Sequence, residues 1–382
     1  MDSSAERRIS VLYITETPSP YRVCFFRKLS EKCDLTVIFT KSRKTYERPY
    51  DWYDHNFEGF TVLDSWNSKS PVNFGVLKLL KKKYDWIVLC DYSSPTGLLS
   101  SLFFKLKRIK YAMEADGAKI GTGNCIKEKL KKVIISKSVL CFSSSKVTDD
   151  YYIHYGVDKK LLVRYPFTSL IDSDVIKGPA TPENRNKLRQ LLGLKEKNII
   201  ISVGRFTYMN GYGKGYDTIM KLAESLSGDT GFYIIGDKPT SEFEEWKKRK
   251  SLTNVHFIEH KNKDALKQYY QSADLSVLLS RGEAWGLVIN ESMANGTPVI
   301  ATDACVGALE IIKHSVNGYI VPVNSPESVK ECISDYFSSN KKQEDMSFAA
   351  LDTIKDYTIE NMAKTHLDVF QRLKKNDNYQ RR

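Results

Sequence analysis

The chain has 382 residues, of which 41% are hydrophobic and 27% charged, with 22 Tyr and 17 Phe. That composition excludes a disordered chain, and the length favours two folded domains because one core rarely organises so many residues. Of the net charge of +12, nearly all sits in the first half: residues 1–170 carry 29 Lys and Arg against 18 Asp and Glu, and the remainder 29 against 28.

Along the first half, short apolar runs predict strands at Ile9–Thr15, Leu35–Thr40, Phe60–Asp64, Trp86–Cys90, Lys110–Glu114 and Val139–Ser143. Most are followed by segments of helical period, such as Arg22–Glu31, Val76–Lys82 and Ile126–Ser136. Repeated strand-then-helix order predicts a parallel sheet covered on both faces. The pattern stops at Tyr165-Pro166-Phe167-Thr168-Ser169, and the polar stretch through Thr181-Pro182 reads as a linker. A helix at Pro182–Leu192 then leads into a run at Asn198–Gly204, with further strands at Gly231–Ile235, Val255–Ile258, Leu275–Leu279, Pro298–Ala301 and Gly318–Val321. The expected organisation is therefore an α/β domain over 1–170, a second over 171–355, and a helical tail over 356–382 that crosses back to the first. The seven cysteines are scattered without a C-x-x-C pair and read as reduced thiols. The apolar start, Ile9–Ile14, is too short for a signal core or a membrane span, so a cytoplasmic address is expected.

Two stretches concentrate the chemistry. The run ending in Val203 opens into Gly204-Arg205-Phe206, and the Gly-rich segment Gly213-Lys214-Gly215 precedes a helix at about Tyr216. Arg205 and Lys214 suit the charge of a leaving diphosphate, arginine through its two-pronged fork. The other stretch runs from Ser280 to Ile300: a strand enters a turn bearing Gly282 and Glu283, and a helix of about ten residues begins near Gly286. Unpaired amides of Gly286, Leu287 and Val288 would form an anion site at that helix start. Glu283 and Glu291, eight residues apart, would stand about 12 Å apart if the whole span were helical, enough for each to hold a different sugar ring.

Together, Gly-Arg-Phe, Lys-Gly-Tyr-Asp, the Glu-x7-Glu turn within Glu283-Ala284-Trp285-Gly286, and Gly296-Thr297-Pro298-Val299-Ile300-Ala301-Thr302 resemble the GT4-type retaining glycosyltransferases over roughly residues 198–325. The first half resembles members acting in bacterial capsule, exopolysaccharide or lipopolysaccharide assembly, through Ile14–Arg22, Tyr155–Asp158 and Arg164–Ser169. The resemblance implies the GT-B fold, two Rossmann-like doubly wound domains facing a cleft, with the acceptor held mainly by the first. It implies donor diphosphate contacts from Arg205 and Lys214, the transferred sugar on Glu283 and ribose on Glu291. The substrates would be a nucleotide diphosphate sugar and a glycan or lipid-linked glycan, with no cofactor and no metal. A basic first domain would suit peripheral contact with the inner face of an anionic membrane.

This chain departs from the pattern in two places. Pro18-Ser19-Pro20 stands where many relatives have a Gly-Gly turn, and Ala115 stands where many carry a histidine, so no catalytic histidine is assigned. Asp116 is either an acceptor-side residue or a turn cap. Asp172-Ser173-Asp174 has the letters of a metal-binding Asp-x-Asp motif but no strand leading into it. The stripe Ile126, Leu130, Val133, Ile134 among lysines fits either a bilayer surface or an ordinary core helix. Two other readings are a sugar-nucleotide 2-epimerase of the same architecture, against which the Glu-Ala-Trp-Gly turn weighs, and a non-catalytic basic module binding membrane or nucleic acid. The basic clusters lack the interleaved aromatics of single-strand binders, so no nucleic acid partner is expected.

Overall fold

A computed structural model describes residues 7–41, 53–65, 70–121, 125–226 and 228–375. The chain forms two compact units: one runs to Ser169 and resumes at Thr358, and the other is Leu170–Tyr357. The sequence had placed the divisions at 170/171 and 355/356.

In the first unit the strands are β1 (Ile9–Thr15), β2 (Cys33–Phe39), β3 (Thr61–Asp64), β4 (Trp86–Leu89), β5 (Ala112–Ala115), β6 (Leu140–Ser143) and β7 (Leu162–Arg164). They form one parallel sheet in the order β3-β2-β1-β4-β5-β6-β7. Its helices are α1 (Pro20–Ser30), α2 (Val76–Leu80), α3 (Pro95–Lys107), α4 (Cys125–Ile135) and α5 (Lys146–His154). Strand β7 went unrecognised in the sequence: its three residues are too few to show a period, and they pair only with β6 at the sheet edge. Local signals set the helix starts. The Ser94 hydroxyl accepts from the Gly97 amide and Pro95 occupies the first turn of α3, where a missing N–H costs nothing.

The second unit contains α6 (Pro182–Leu192), β8 (Asn198–Val203), α7 (Tyr216–Ser225), β9 (Thr230–Gly236), α8 (Ser241–Arg249), β10 (Val255–Glu259), α9 (Lys263–Ser272), β11 (Leu275–Leu278), α10 (Leu287–Ala294), β12 (Val299–Thr302), α11 (Val306–Ile311), β13 (Gly318–Val321), α12 (Pro326–Tyr336) and α13 (Asn340–Ile354). Its parallel sheet has the order β10-β9-β8-β11-β12-β13. Along β8, Ile200 enters one buried cluster while Ile199 and Ile201 enter another. Both faces are thus covered, which is why the strands read as continuous apolar runs.

The helical tail expected over 356–382 contains α14 (Ile359–Lys375). Helix α14 belongs to the first unit and packs on α1. There Trp86 donates its indole N–H to the Phe370 carbonyl at 3.2 Å, and His366 stacks on Phe142 at 4.0 Å between ring centroids. Asp174, from the motif with metal-binding letters, is buried; it caps the Ile171 amide at 2.9 Å and pairs with Lys263 and Lys267.

Candidate functional site

The second sheet winds outward from its middle. Strands β9 and β10 extend it on one side of β8, and β11 to β13 on the other. The crevice outside the carboxyl ends of β8 and β11 is therefore the point where strand order reverses, the usual ligand position of such sheets. Gly204 and Arg205 leave β8 there, and the turn bearing Glu283 leaves β11. The carboxylate of Asp237, just past β9, accepts the amides of Phe206 and Thr207 and fixes the turn after Arg205. Among the described residues Arg205 makes no ion pair, so its guanidinium is available to an anion.

Lys214 reaches the same place through an unusual backbone. The segment Tyr208–Lys214 holds Met209 (φ 50°), Asn210 (φ 54°) and Gly211 (φ 88°) in succession in the left-handed region. For Met209 this conformation is costly and is kept only where surroundings impose it, whereas Asn210 tolerates it more readily. Gly215 (φ 72°) then starts α7, and a Cβ there would lie 2.1 Å from the Leu279 carbonyl oxygen. Only a glycine lets the loop press so closely on the end of β11. The result is an ion pair between the Lys214 ammonium and the Glu283 carboxylate, 69 residues apart in sequence. The ammonium also lies 5.7 Å from the centroid of the Tyr208 ring.

Glu283 sits in a short parallel bridge with Cys305: its amide donates to the Ala304 carbonyl at 3.3 Å and its carbonyl accepts from Val306 at 3.2 Å. Helix α10 begins only at Leu287, after Gly286 (φ 88°), where a Cβ would come within 2.7 Å of Leu278 Cδ2. Glu283 lies in the turn ahead of the helix, as expected, and is held there by the bridge; the 12 Å estimate for an all-helical span therefore does not apply, and the helix has eight residues rather than about ten. Leu287 and Val288 occupy its first two positions, where amides have no intrahelical acceptor. The buried Trp285 donates its indole N–H to the Asn290 side chain at 2.9 Å, tying the turn to the helix. Glu291 receives the hydroxyl of Tyr270 at 3.3 Å, and burial, followed by the nearby carboxylate, pushes that phenol's ionisation well up, so it stays a donor.

Sequence reasoning missed Arg281 and Asp217. The two form a paired fork, at 3.0 and 2.7 Å. A buried acid at a helix start and an arginine in the facing turn were the available signals, but nothing in sequence spacing joins them.

In the first unit, Asp116 follows β5 and belongs to a polar cluster invisible to motif reading. Arg22 bonds Glu114 and Asp116 at 2.5 Å each, and Tyr165 donates to Asp116 at 2.8 Å. The His366 Nδ1 lies 2.8 Å from the Met362 carbonyl, which makes Nδ1 the donor and leaves Nε2 facing Glu114 at 3.5 Å. Burial opposes ionisation of Glu114, yet Arg22 and His366 outweigh it and hold its carboxyl down at about 2. Asp116 moves the other way: burial, only partly offset by Arg22 and reinforced by the Glu114 charge, raises it. A charged residue inside the buried strand Ala112–Ala115 was the one sequence signal for this network.

Helix α4 resolves its stripe in an unexpected way. Ile134 and Ile135 are buried, whereas Ile126 (75% exposed), Leu130 and Val133 face solvent beside Lys127, Lys129 and Lys132.

The HepE protein of Anabaena, solved in complex with UDP, superposes with a TM-score of 0.74 at 16% identity, over 95% of this chain and 100% of that one. The architecture is that of the GT-B glycosyltransferases. Residues 184–352 match the family model described as glycosyl transferases group 1. An uncharacterised glycosyltransferase of Methanocaldococcus jannaschii is 29% identical over 191 residues, 50% of this chain and 49% of the relative. An uncharacterised 41.2 kDa protein of the cps region of Klebsiella pneumoniae is 29% identical over 309 residues, 74% of this chain and 79% of the relative. Against the first of its curated relatives, the matched region spans about half of their length.

Proposed function

We propose that the chain transfers a hexosyl group from a UDP- or GDP-sugar to a glycan or lipid-linked glycan hydroxyl, with retention and without a metal ion, in the assembly of a surface polysaccharide. The observation that carries this reading is the Lys214–Glu283 pair at the switch point of the second sheet, beside the first amides of α10. Arg205, Lys214 and the Leu287 and Val288 amides take the diphosphate, Glu283 the transferred sugar and Glu291 the ribose. The bond from the anomeric carbon to the phosphate oxygen breaks, the acceptor oxygen bonds that carbon on the same face, and its proton passes to the departing phosphate. The cations act where charge grows as the bond breaks. Asp116 is the acceptor-side carboxylate. The UDP complex of HepE and the cps-region relative support this choice of donor and pathway class.

The exposed apolar residues of α4, with Leu102 and Leu106 of α3 among Lys105, Lys107 and Arg108, support peripheral docking of the first unit on an anionic membrane face. No helix among the described residues is long and apolar enough to cross a membrane.

The test is a panel of UDP-, GDP- and ADP-sugars assayed for slow donor hydrolysis, with and without a chelator, and with Glu283→Ala and Lys214→Ala as controls. Hydrolysis of one donor by wild type, unaffected by chelator and strongly reduced but still measurable in both variants, is the expected result. Indistinguishable rates for all three proteins and buffer would remove the assignment, and loss on chelation would remove metal independence.

A further inference from the structure

Two segments distant in sequence must meet for Lys214 to stand on Glu283. The Tyr208–Lys214 loop is made of short 3-10 turns interrupted by a kink at Met209, Asn210 and Gly211, three successive left-handed residues. Arg281, two residues before Glu283, contacts the chain on both sides of Lys214, the loop before it and helix α7 after it. Its backbone N–H donates to the Gly213 carbonyl at 3.0 Å and its Nη1 donates to the Tyr212 carbonyl. The same guanidinium grips Asp217 in the first turn of α7, Nη1 to Oδ1 at 3.0 Å and Nη2 to Oδ2 at 2.7 Å, and lies 5.7 Å from the Tyr212 ring centroid. Asp217 is buried, and its carboxylate sits at a helix N-terminus where negative charge is favoured.

We infer that Arg281 is a positioning residue which, through Asp217 and the Tyr212 and Gly213 carbonyls, fixes Lys214 against Glu283 and so sets the geometry of the proposed donor site. One planar, five-donor group spans three acceptors on two elements at once; a lysine has a single point of charge and cannot reproduce that fork. Because Glu283 is rigidly tied to Cys305 and its neighbours, Arg281 is the link that transmits this fixed position to the strained loop. Misplacing a catalytic group by about 1 Å can cost on the order of 10²-fold in rate, so the arrangement matters beyond stability.

This inference rests on the donor-site reading for its functional meaning, but its geometry is tested without turnover. The rate at which Lys214 is acetylated by a small amine-reactive ester, read by peptide mass spectrometry, is compared in wild type, Arg281→Lys and Asp217→Asn, with exposed Lys221 as internal reference and thermal melting as the check on folding. Lys214 is expected to react several-fold faster in both variants while Lys221 does not change. Wild-type Lys214 reactivity in folded Arg281→Lys overturns the positioning role. If Arg281→Lys does not fold, Asp217→Asn decides the matter by the same measure. Turnover then supplies a double-mutant cycle: Arg281→Lys is expected to lower kcat by roughly tenfold or more in wild type and to add little once Lys214 is Ala. Additive losses would assign Arg281 a general structural role instead. Turnover unaffected by Lys214→Ala would sink the donor-site reading while leaving the labelling result to judge the clamp.

Discussion

Replacing Glu283 with Gln keeps shape and removes one charge from the ion pair with Lys214. Both side chains are mostly buried, with 18% and 23% exposure. Two unit charges about 4 Å apart attract by roughly 4 kcal/mol at an effective dielectric near 20. Desolvation and side-chain ordering offset most of this, leaving about 1–2 kcal/mol. A diphosphate entering the site must share Lys214 with Glu283 and lie near that carboxylate. Glu283→Gln removes both penalties, so UDP or GDP alone is expected to bind about 5- to 30-fold more tightly. Hydrogen bonds to charged groups are worth about twice those between neutral ones, so donor turnover is expected to fall in the same variant. Calorimetric titration with UDP and GDP at low and high salt, beside donor hydrolysis, reads both effects, and the gain should shrink as salt screens it. Unchanged or weaker nucleotide binding in Glu283→Gln would refute the idea that the pair and the diphosphate compete for one ammonium.

Gly286→Ala places a methyl on a left-handed residue within 2.7 Å of Leu278, and should cost about 1–3 kcal/mol by thermal melting and abolish donor hydrolysis. Arg22→Met strands the buried Glu114 charge and should destabilise the first unit by about 3–5 kcal/mol in urea titrations. The Glu114 carboxyl is depressed on folding, so its contribution is present above its ordinary value of 4.5 and is lost as pH falls toward about 2. Glu114→Gln should therefore flatten the loss of stability across that window while lowering stability at neutral pH. Ile126→Asp with Leu130→Asp should abolish co-sedimentation with vesicles rich in anionic lipid and leave hydrolysis of a soluble donor unchanged; persistent vesicle binding would exclude α4 as the contact.

Elements whose ends carry their own punctuation were legible in the sequence. Helix α6 has Thr181 as cap, Pro182 in the first turn and Gly193 in the left-handed closing position, and its limits read directly. Strand β1 is a buried apolar run between Arg8 and Glu16, and β13 one between Asn317 and Pro322, and their limits also read as observed. β7 was lost because three residues carry no period. The cationic and acidic motifs announced themselves separately, but their meeting depends on Gly215 passing against Leu279, a close approach that sequence spacing does not encode. The Arg22–Glu114–His366 network is harder still, since its imidazole arrives from α14, more than 250 residues after Glu114. Periodicity reports which face of a helix is apolar and says nothing about which sheet it will cover.

That late arrival of α14 orders events during synthesis. Residues 170–357 form a continuous unit that can complete its folding as soon as it has been made, whereas the earlier-made sheet must wait for the segment from 358 onward. Until then Phe25, Phe142 and Trp86 lack the contacts that His366 and Phe370 bring them. A ribosome paused between the two segments would thus carry a finished second unit behind an unfinished first one. A protease cut near residue 356 should leave the first unit, and not the second, as the part that loosens.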